Sequence, residues 1–280
     1  MADRYAGIKS KILEIANTDK RVRAVVAIGS SVRSGLRADE YSDLDLIIAT
    51  EDVEKWLYGT APDELGKIKI SFVEPTLGGG KERRILYENA LDVDLIIFTS
   101  QQFESAIKEG VAGWVCNRGY EVLYDTMGAG ALLEKYVSEK TTYTGMTEAE
   151  YINMVNDFCF HVVWASKKIL RGELWSAKMC IDAYLKNYLL KMMELYSAYV
   201  HHADVWHDGR FLDRWADDKI KEALPKCFAY YDREDMISAL EETHKLFAEL
   251  AKEVAEIRSY DYPEKAVDYS VYLLGEYFGK

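Results

Sequence analysis

The sequence predicts an α/β domain built on a mixed sheet, followed by an all-α helical bundle domain. Between residues 22 and 125, short β-branched apolar runs recur with polar or glycine-rich turns between them. From Thr147 onward the chain changes to long amphipathic stretches with few glycines and with Pro225 and Pro263 as breakers. The join, SEKTTYTGMT, is polar and contains Gly145. A length of 280 residues is generous for one core and comfortable for two, since domains run roughly 100 to 200 residues. The expected division is 1–142 and 143–280.

The first element is a helix. MADRYAGIKSKILEIA sets Tyr5, Ile8, Ile12 and Ile15 at helical spacing with charges between them, unlike the unbroken apolar region of a signal peptide. Val22 to Ile28 then reads as a buried strand that stops at Gly29-Ser30-Ser31. After the polar stretch Arg33 to Asp43, Leu44 to Ala49 is a second strand. Ile68 to Val73, Arg83 to Glu88 and Val93 to Phe98 follow as strands, separated by the Gly78-Gly79-Gly80 turn and the link Asn89 to Leu91. Glu121 to Asp125 is a candidate for one more, while Glu51 to Gly59 and Gln101 to Glu109 read as helices. The second half has room for four or five helices. The first opens at Thr147, with Glu150 three residues on as in a capping box.

Lys and Arg total 35 against 47 Asp and Glu, a formal net charge of -12. That balance opposes nucleic acid, whose phosphates call for Lys/Arg stripes, and favours a cationic partner drawn by long-range attraction. Cys116, Cys159, Cys180 and Cys227 form no CxxC pair and no metal-finger spacing, so reduced thiols are expected. No stretch approaches the roughly 18 to 20 apolar residues of a membrane span. A cytoplasmic monomer is the expectation.

The chemistry concentrates in GSSVRSGLRADEYSDLDLII, residues 29–48, and LDVDLIIF, residues 91–98. Side chains alternate along a strand, so Asp43 and Asp45 leave one face while Leu44 and Leu46 leave the other. Asp92 and Asp94 repeat the pattern, and pairing of the two strands would set a third acid beside the first two. Three crowded carboxylates repel one another unless a cation intervenes. Mg²⁺ suits the site, because it takes oxygen ligands and is satisfied by one or two carboxylates plus substrate phosphates. Two such ions roughly 3.5 to 4 Å apart can activate an attacking oxygen and stabilise a leaving one. Gly29 permits close backbone approach, and the hydroxyls and amides of Ser30 and Ser31 suit phosphate oxygens, with Ser42 as a helper beside Asp43. Alone, a DxD is ordinarily a solvated strand end and a GS turn a strand terminator. Their combination, with a further acid opening a later strand, points to phosphate chemistry.

This combination resembles the nucleotidyltransferase superfamily, whose pattern is hGSxxxG, then hDhD, then a later hDh. Here these are Ile28-Gly29-Ser30 with Gly35, Asp43-Leu44-Asp45 and Val93-Asp94-Leu95. The chain is similar in particular to the aminoglycoside 6-adenylyltransferase (streptomycin adenylyltransferase) family, and the likeness continues through RGELWSAK, LLKMMELY and LFAELAKEVAE. The resemblance implies a nucleotidyltransferase domain over 1–142, a helical substrate-binding domain over 143–280, and ATP in a cleft between them. Asp43 and Asp45 would hold the metal ions, and Asp94 would complete the metal site and accept the proton of the acceptor hydroxyl. Asp92 is held in reserve, its plainer reading being a solvated strand-end acid. Lys178 matches a lysine that similar enzymes direct at the triphosphate, with a solvated helix lysine as the alternative, and Arg33 could serve the same anion.

A cationic acceptor calls for acids and aromatic faces. Asp157 and Asp182 lie on helical stretches with Trp164, Trp175 and Tyr184 and could bind ammonium or guanidinium groups, though most of those aromatics are expected in the bundle core and the acids also fit a solvated helix face. His201, His202 and His207 do not share a helix face with a fourth ligand, so they read as surface histidines. The implied reaction carries AMP from ATP to a hydroxyl of an aminoglycoside, streptomycin foremost, with loss of pyrophosphate and antibiotic resistance as the outcome. Other acceptors, a lincosamide or a protein hydroxyl, are the alternatives, as is a nucleotide-binding module without turnover. The three clustered acids argue against the last.

Overall fold

The computed structural model describes residues 3–33, 36, 38–137 and 145–279. Gly35 of the glycine signature and the join at 138–144 lie outside the described residues. The chain divides into two compact units, Met1–Thr142 and Tyr143–Lys280.

In the first unit, α1 (Ala6–Thr18) buries Ile8, Ile12 and Ile15, the stripe its spacing dictates. The strands are β1 (Val22–Ile28), β2 (Leu44–Thr50), β3 (Ile68–Pro75), β4 (Lys81–Tyr87), β5 (Leu91–Phe98) and β6 (Glu121–Asp125). They form one six-stranded sheet in the order β3-β4-β5-β2-β1-β6. It is mixed, because β2 and β5 run parallel and the other pairs are antiparallel. Between β2 and β3, α2 (Val53–Leu57) is shorter than its sequence suggests, since Asp52 caps it by accepting the Lys55 amide. The remaining helices are α3 (Ser100–Lys108), α4 (Val111–Cys116) and α5 (Ala129–Tyr136).

Alternation gives the sheet two apolar faces. Leu44, Leu46 and Ile48 join Val93, Leu95 and Ile97 under Ile8, Ile12 and Trp56. Ile47, Ala49 and Phe98 join Phe103, Ile107 and Leu133 on the opposite side. Asp45 and Asp94 belong to this second face, because each lies two residues before an apolar residue that packs there.

The second unit is helical. Its elements are α6 (Glu148–Leu170), α7 (Leu174–Met179), α8 (Leu185–Val200), α9 (Leu212–Trp215), α10 (Asp218–Ala223), α11 (Arg233–Arg258) and α12 (Glu264–Phe278). The Thr147–Glu150 capping box forms with both of its hydrogen bonds. A π-helical segment, Cys180–Tyr184, joins α7 to α8 without a break. The core stacks Phe158 on Phe247 with ring centroids 3.6 Å apart, and the buried Tyr151 hydroxyl donates to the Ala251 carbonyl at 2.7 Å. Among the described residues, no helix is long and apolar enough to cross a membrane.

Candidate active site

Parallel pairing of β2 with β5 places Asp45 opposite Asp94 in direct register. Asp43 stands just before β2, and each of Asp43, Asp45 and Asp94 offers a carboxylate oxygen within 4.8 Å of the other two. Asp92 is on the same face of β5 but exposed, and it lies outside this group. Asp94 is 6% exposed. Burial pushes its carboxyl up to about 8, with the Arg84 guanidinium opposing the rise and Glu82, Asp45 and Asp92 adding to it. Such a carboxylate is more basic than an exposed one.

The turn that closes β1 is built around this acid cluster. Gly29 has a φ of 70°, and a Cβ there would collide with the Asp45 carboxylate. Glycine is therefore required by both backbone and neighbour, and the close approach it permits is used first by Asp45. The buried Ser30 hydroxyl donates to the Asp43 carbonyl at 3.3 Å, tying the turn to the start of β2. Ser31 donates to the Ile28 carbonyl at 3.4 Å. The Ser42 hydroxyl accepts the Asp39 amide at 2.9 Å and donates to the Asp39 carboxylate at 3.0 Å. Arg33 donates to the Leu36 carbonyl. In this structure these polar groups build the loop that carries Asp43.

Sequence reasoning finds the neighbouring strand but misses what it brings to the site. On β4, Arg84 pairs with Asp94 across the β4/β5 ladder and with Phe72 of β3 on the other side. Its Nε lies 2.7 Å from Glu82, 2.8 Å from Glu74 and 3.7 Å from Asp94. Glu82 is buried. The available signal is alternation, which sends Glu82 and Arg84 to one face of KERRILY and Lys81, Arg83 and Ile85 to the other.

In the second unit, the two residues read as nucleotide and acceptor ligands pair with each other. Lys178 forms an ion pair with Asp182, one helical turn on, and donates to the Ala229 carbonyl at 2.5 Å. The other Asp182 oxygen is buried without a hydrogen-bond partner, 3.9 Å from Lys186. Burial pulls the Lys186 ammonium down to about 8, and its amine donates to Thr243 at 2.8 Å and to the Ile181 carbonyl at 3.1 Å. Asp157 accepts from Tyr184 at 3.0 Å and Tyr188 at 2.8 Å, and His161 Nδ1 lies 2.6 Å from it. The aromatics do not fill the core as expected. Trp175 is exposed, Tyr184 is partly so and Trp164 is half-buried, because Tyr151, Phe158 and Phe247 already occupy the bundle interior. His201 bonds the Tyr196 hydroxyl at 3.2 Å and lies 3.2 Å from Asp217, while His202 is exposed. The His207 side chain lies outside the described structure.

A glycine-serine turn packs against two strand-end acids, with a third acid in register on the adjacent parallel strand, an arrangement that could hold a metal ion. The chain belongs to the streptomycin adenylyltransferase family, whose pattern it matches over residues 4–274. No curated protein matches it. Solved structures similar to it include an aminoglycoside 6-adenyltransferase from Bacillus subtilis, 20% identical with 99% of each chain covered and a TM-score of 0.47. Another is a nucleotidyltransferase-like protein from Exiguobacterium sibiricum, 12% identical over 91% of this chain and 81% of that one, with a TM-score of 0.39.

Proposed function

We propose that the chain is a Mg²⁺-dependent adenylyltransferase that moves AMP from ATP to a hydroxyl of an aminoglycoside, streptomycin foremost, and so confers resistance on a cytoplasmic, monomeric footing. The observation that carries this reading is the convergence of Asp43, Asp45 and Asp94 within 4.8 Å in a chain of this family. The donor set fits the ion: all the ligands are carboxylate oxygens, and three of them gathered within 4.8 Å repel one another unless a cation lies among them. Bound Mg²⁺ would neutralise charge on the phosphates as it shifts in the transition state.

The chain's own residues do the rest. Asp43 and Asp45 would hold the cation and through it the phosphates, and the turn at Gly29 restricts where Asp45 points. The acceptor oxygen bonds to the α-phosphorus as the bond to the bridging oxygen breaks, and pyrophosphate leaves with that electron pair. The hydroxyl proton passes to Asp94, whose buried setting makes it a competent base. Asp157, held between two tyrosine hydroxyls and His161, offers a fixed anion beside aromatic rings for a cationic acceptor. Lys178 serves the triphosphate by exchanging Asp182 for phosphate oxygens.

The test is to incubate the protein with ATP, Mg²⁺ and a panel of aminoglycosides and lincosamides, following pyrophosphate and the mass of each drug. A gain of one AMP on streptomycin is the expected result. ATP binding with no gain in mass on any drug would overturn the acceptor assignment and leave a nucleotide-binding module in its place.

A further inference from the structure

We infer that Arg84 is the resting counter-ion of the three-acid site and sets its affinity for a divalent cation, withdrawing onto Glu82 and Glu74 when the cation arrives. The inference rests on the metal reading of Asp43, Asp45 and Asp94. Its starting point is the ladder: Asp45, Asp94 and Arg84 are consecutive partners across β2, β5 and β4, so their side chains leave the same face of the sheet. The Arg84 Nε lies 3.7 Å from Asp94, beyond hydrogen-bonding range but close enough for strong attraction, while Glu82 and Glu74 hold it at 2.7 and 2.8 Å.

A guanidinium cannot give up its charge, and it carries five donors in a rigid fork. All three contacts fall on its Nε, which donates its hydrogen bond to Glu82, so the side chain can move away from Asp94, which it only attracts, without losing that bond. The Arg84 side chain is 46% exposed whereas that of Asp94 is 9% exposed, so the cation of the pair has room to move and the anion does not. An incoming dication and a guanidinium beside the same carboxylate repel each other. Arg84 thus lowers the affinity of the empty site, and Glu82 and Glu74 provide the seat to which it retires.

The experiment titrates Mn²⁺ into the full-length protein without nucleotide, reading free Mn²⁺ by electron paramagnetic resonance. Asp45→Asn defines binding at this site. Arg84→Gln should bind Mn²⁺ roughly tenfold more tightly, whereas Arg84→Lys, which keeps the charge, should stay within about twofold of the parent. Glu82→Gln removes one seat, lets Arg84 lean on Asp94, and should weaken binding severalfold. A role in structure alone would weaken binding in both Arg84→Gln and Glu82→Gln. Lys81→Gln removes the same charge from the opposite face of β4 and should change nothing. Unchanged or weaker binding in Arg84→Gln, or an equal gain in Lys81→Gln, overturns the inference and leaves the metal site standing. If Arg84→Gln does not fold, unchanged affinity in Glu82→Gln overturns it instead. Absence of any Asp45-dependent Mn²⁺ binding in the parent removes the metal reading and this inference with it.

Discussion

At Gly29 one side chain's absence sets another's position. With a φ of 70° and the Asp45 carboxylate in the space a Cβ would take, Gly29→Ala should cost about 2 kcal/mol of stability. It should also displace Asp45, so a lowered urea midpoint should accompany a loss of transfer of more than about tenfold. Asp45→Asn keeps the shape and removes the charge. It should cut transfer by on the order of 10³-fold while leaving the urea midpoint near the parent value. Retained turnover would remove Asp45 from the metal site. His244 gives a pH signature independent of catalysis. It is buried, its Nε2 lies 2.7 Å from the Ser270 hydroxyl, and burial pulls the ring down to about 4 from 6.5. Between those values the unfolded chain binds the proton and the folded chain does not, so stability falls as pH drops from about 6.5 to about 4. The loss from this residue is about 3 kcal/mol, and urea midpoints across that range should flatten in His244→Gln.

At the scale of elements, the sequence was most readable where a period repeats or a cap has a side chain. The strand runs, the helix at Ala6–Thr18 and the capping box at Thr147 all follow from spacing. Thr147→Ala should therefore cost about 1 kcal/mol, measured as a lower urea midpoint. The DLD and DVD pairs made three acids visible, and the β2/β5 register brings Asp45 and Asp94 side by side. Arg84 and Glu82 were invisible because their importance comes from a cross-strand neighbour, and one sequence does not state which strand lies beside which. The Lys178–Asp182 pair was legible from its four-residue spacing, but each residue was read against an outside ligand. No residue type marks the π-helical insertion at Cys180–Tyr184, and α4 and α5 each contain a glycine that disguises a short helix.

Over the whole molecule, a formal charge of -12 makes association with a cationic acceptor sensitive to ionic strength. The kcat/KM for such an acceptor should fall severalfold between about 50 and 300 mM salt, with kcat nearly constant. A flat profile would mean that the acidic surface has no part in capture. The four cysteines offer a different kind of reading. All are buried, and burial holds Cys116 up to about 12 and Cys159 and Cys180 up to about 11, so the reactive thiolate is scarce in the native state. Alkylation must wait for the chain to open. Cys116 belongs to the first unit and Cys159, Cys180 and Cys227 to the second. The ages at which their peptides gain mass in iodoacetamide make two built-in clocks, one timing the breathing of each unit.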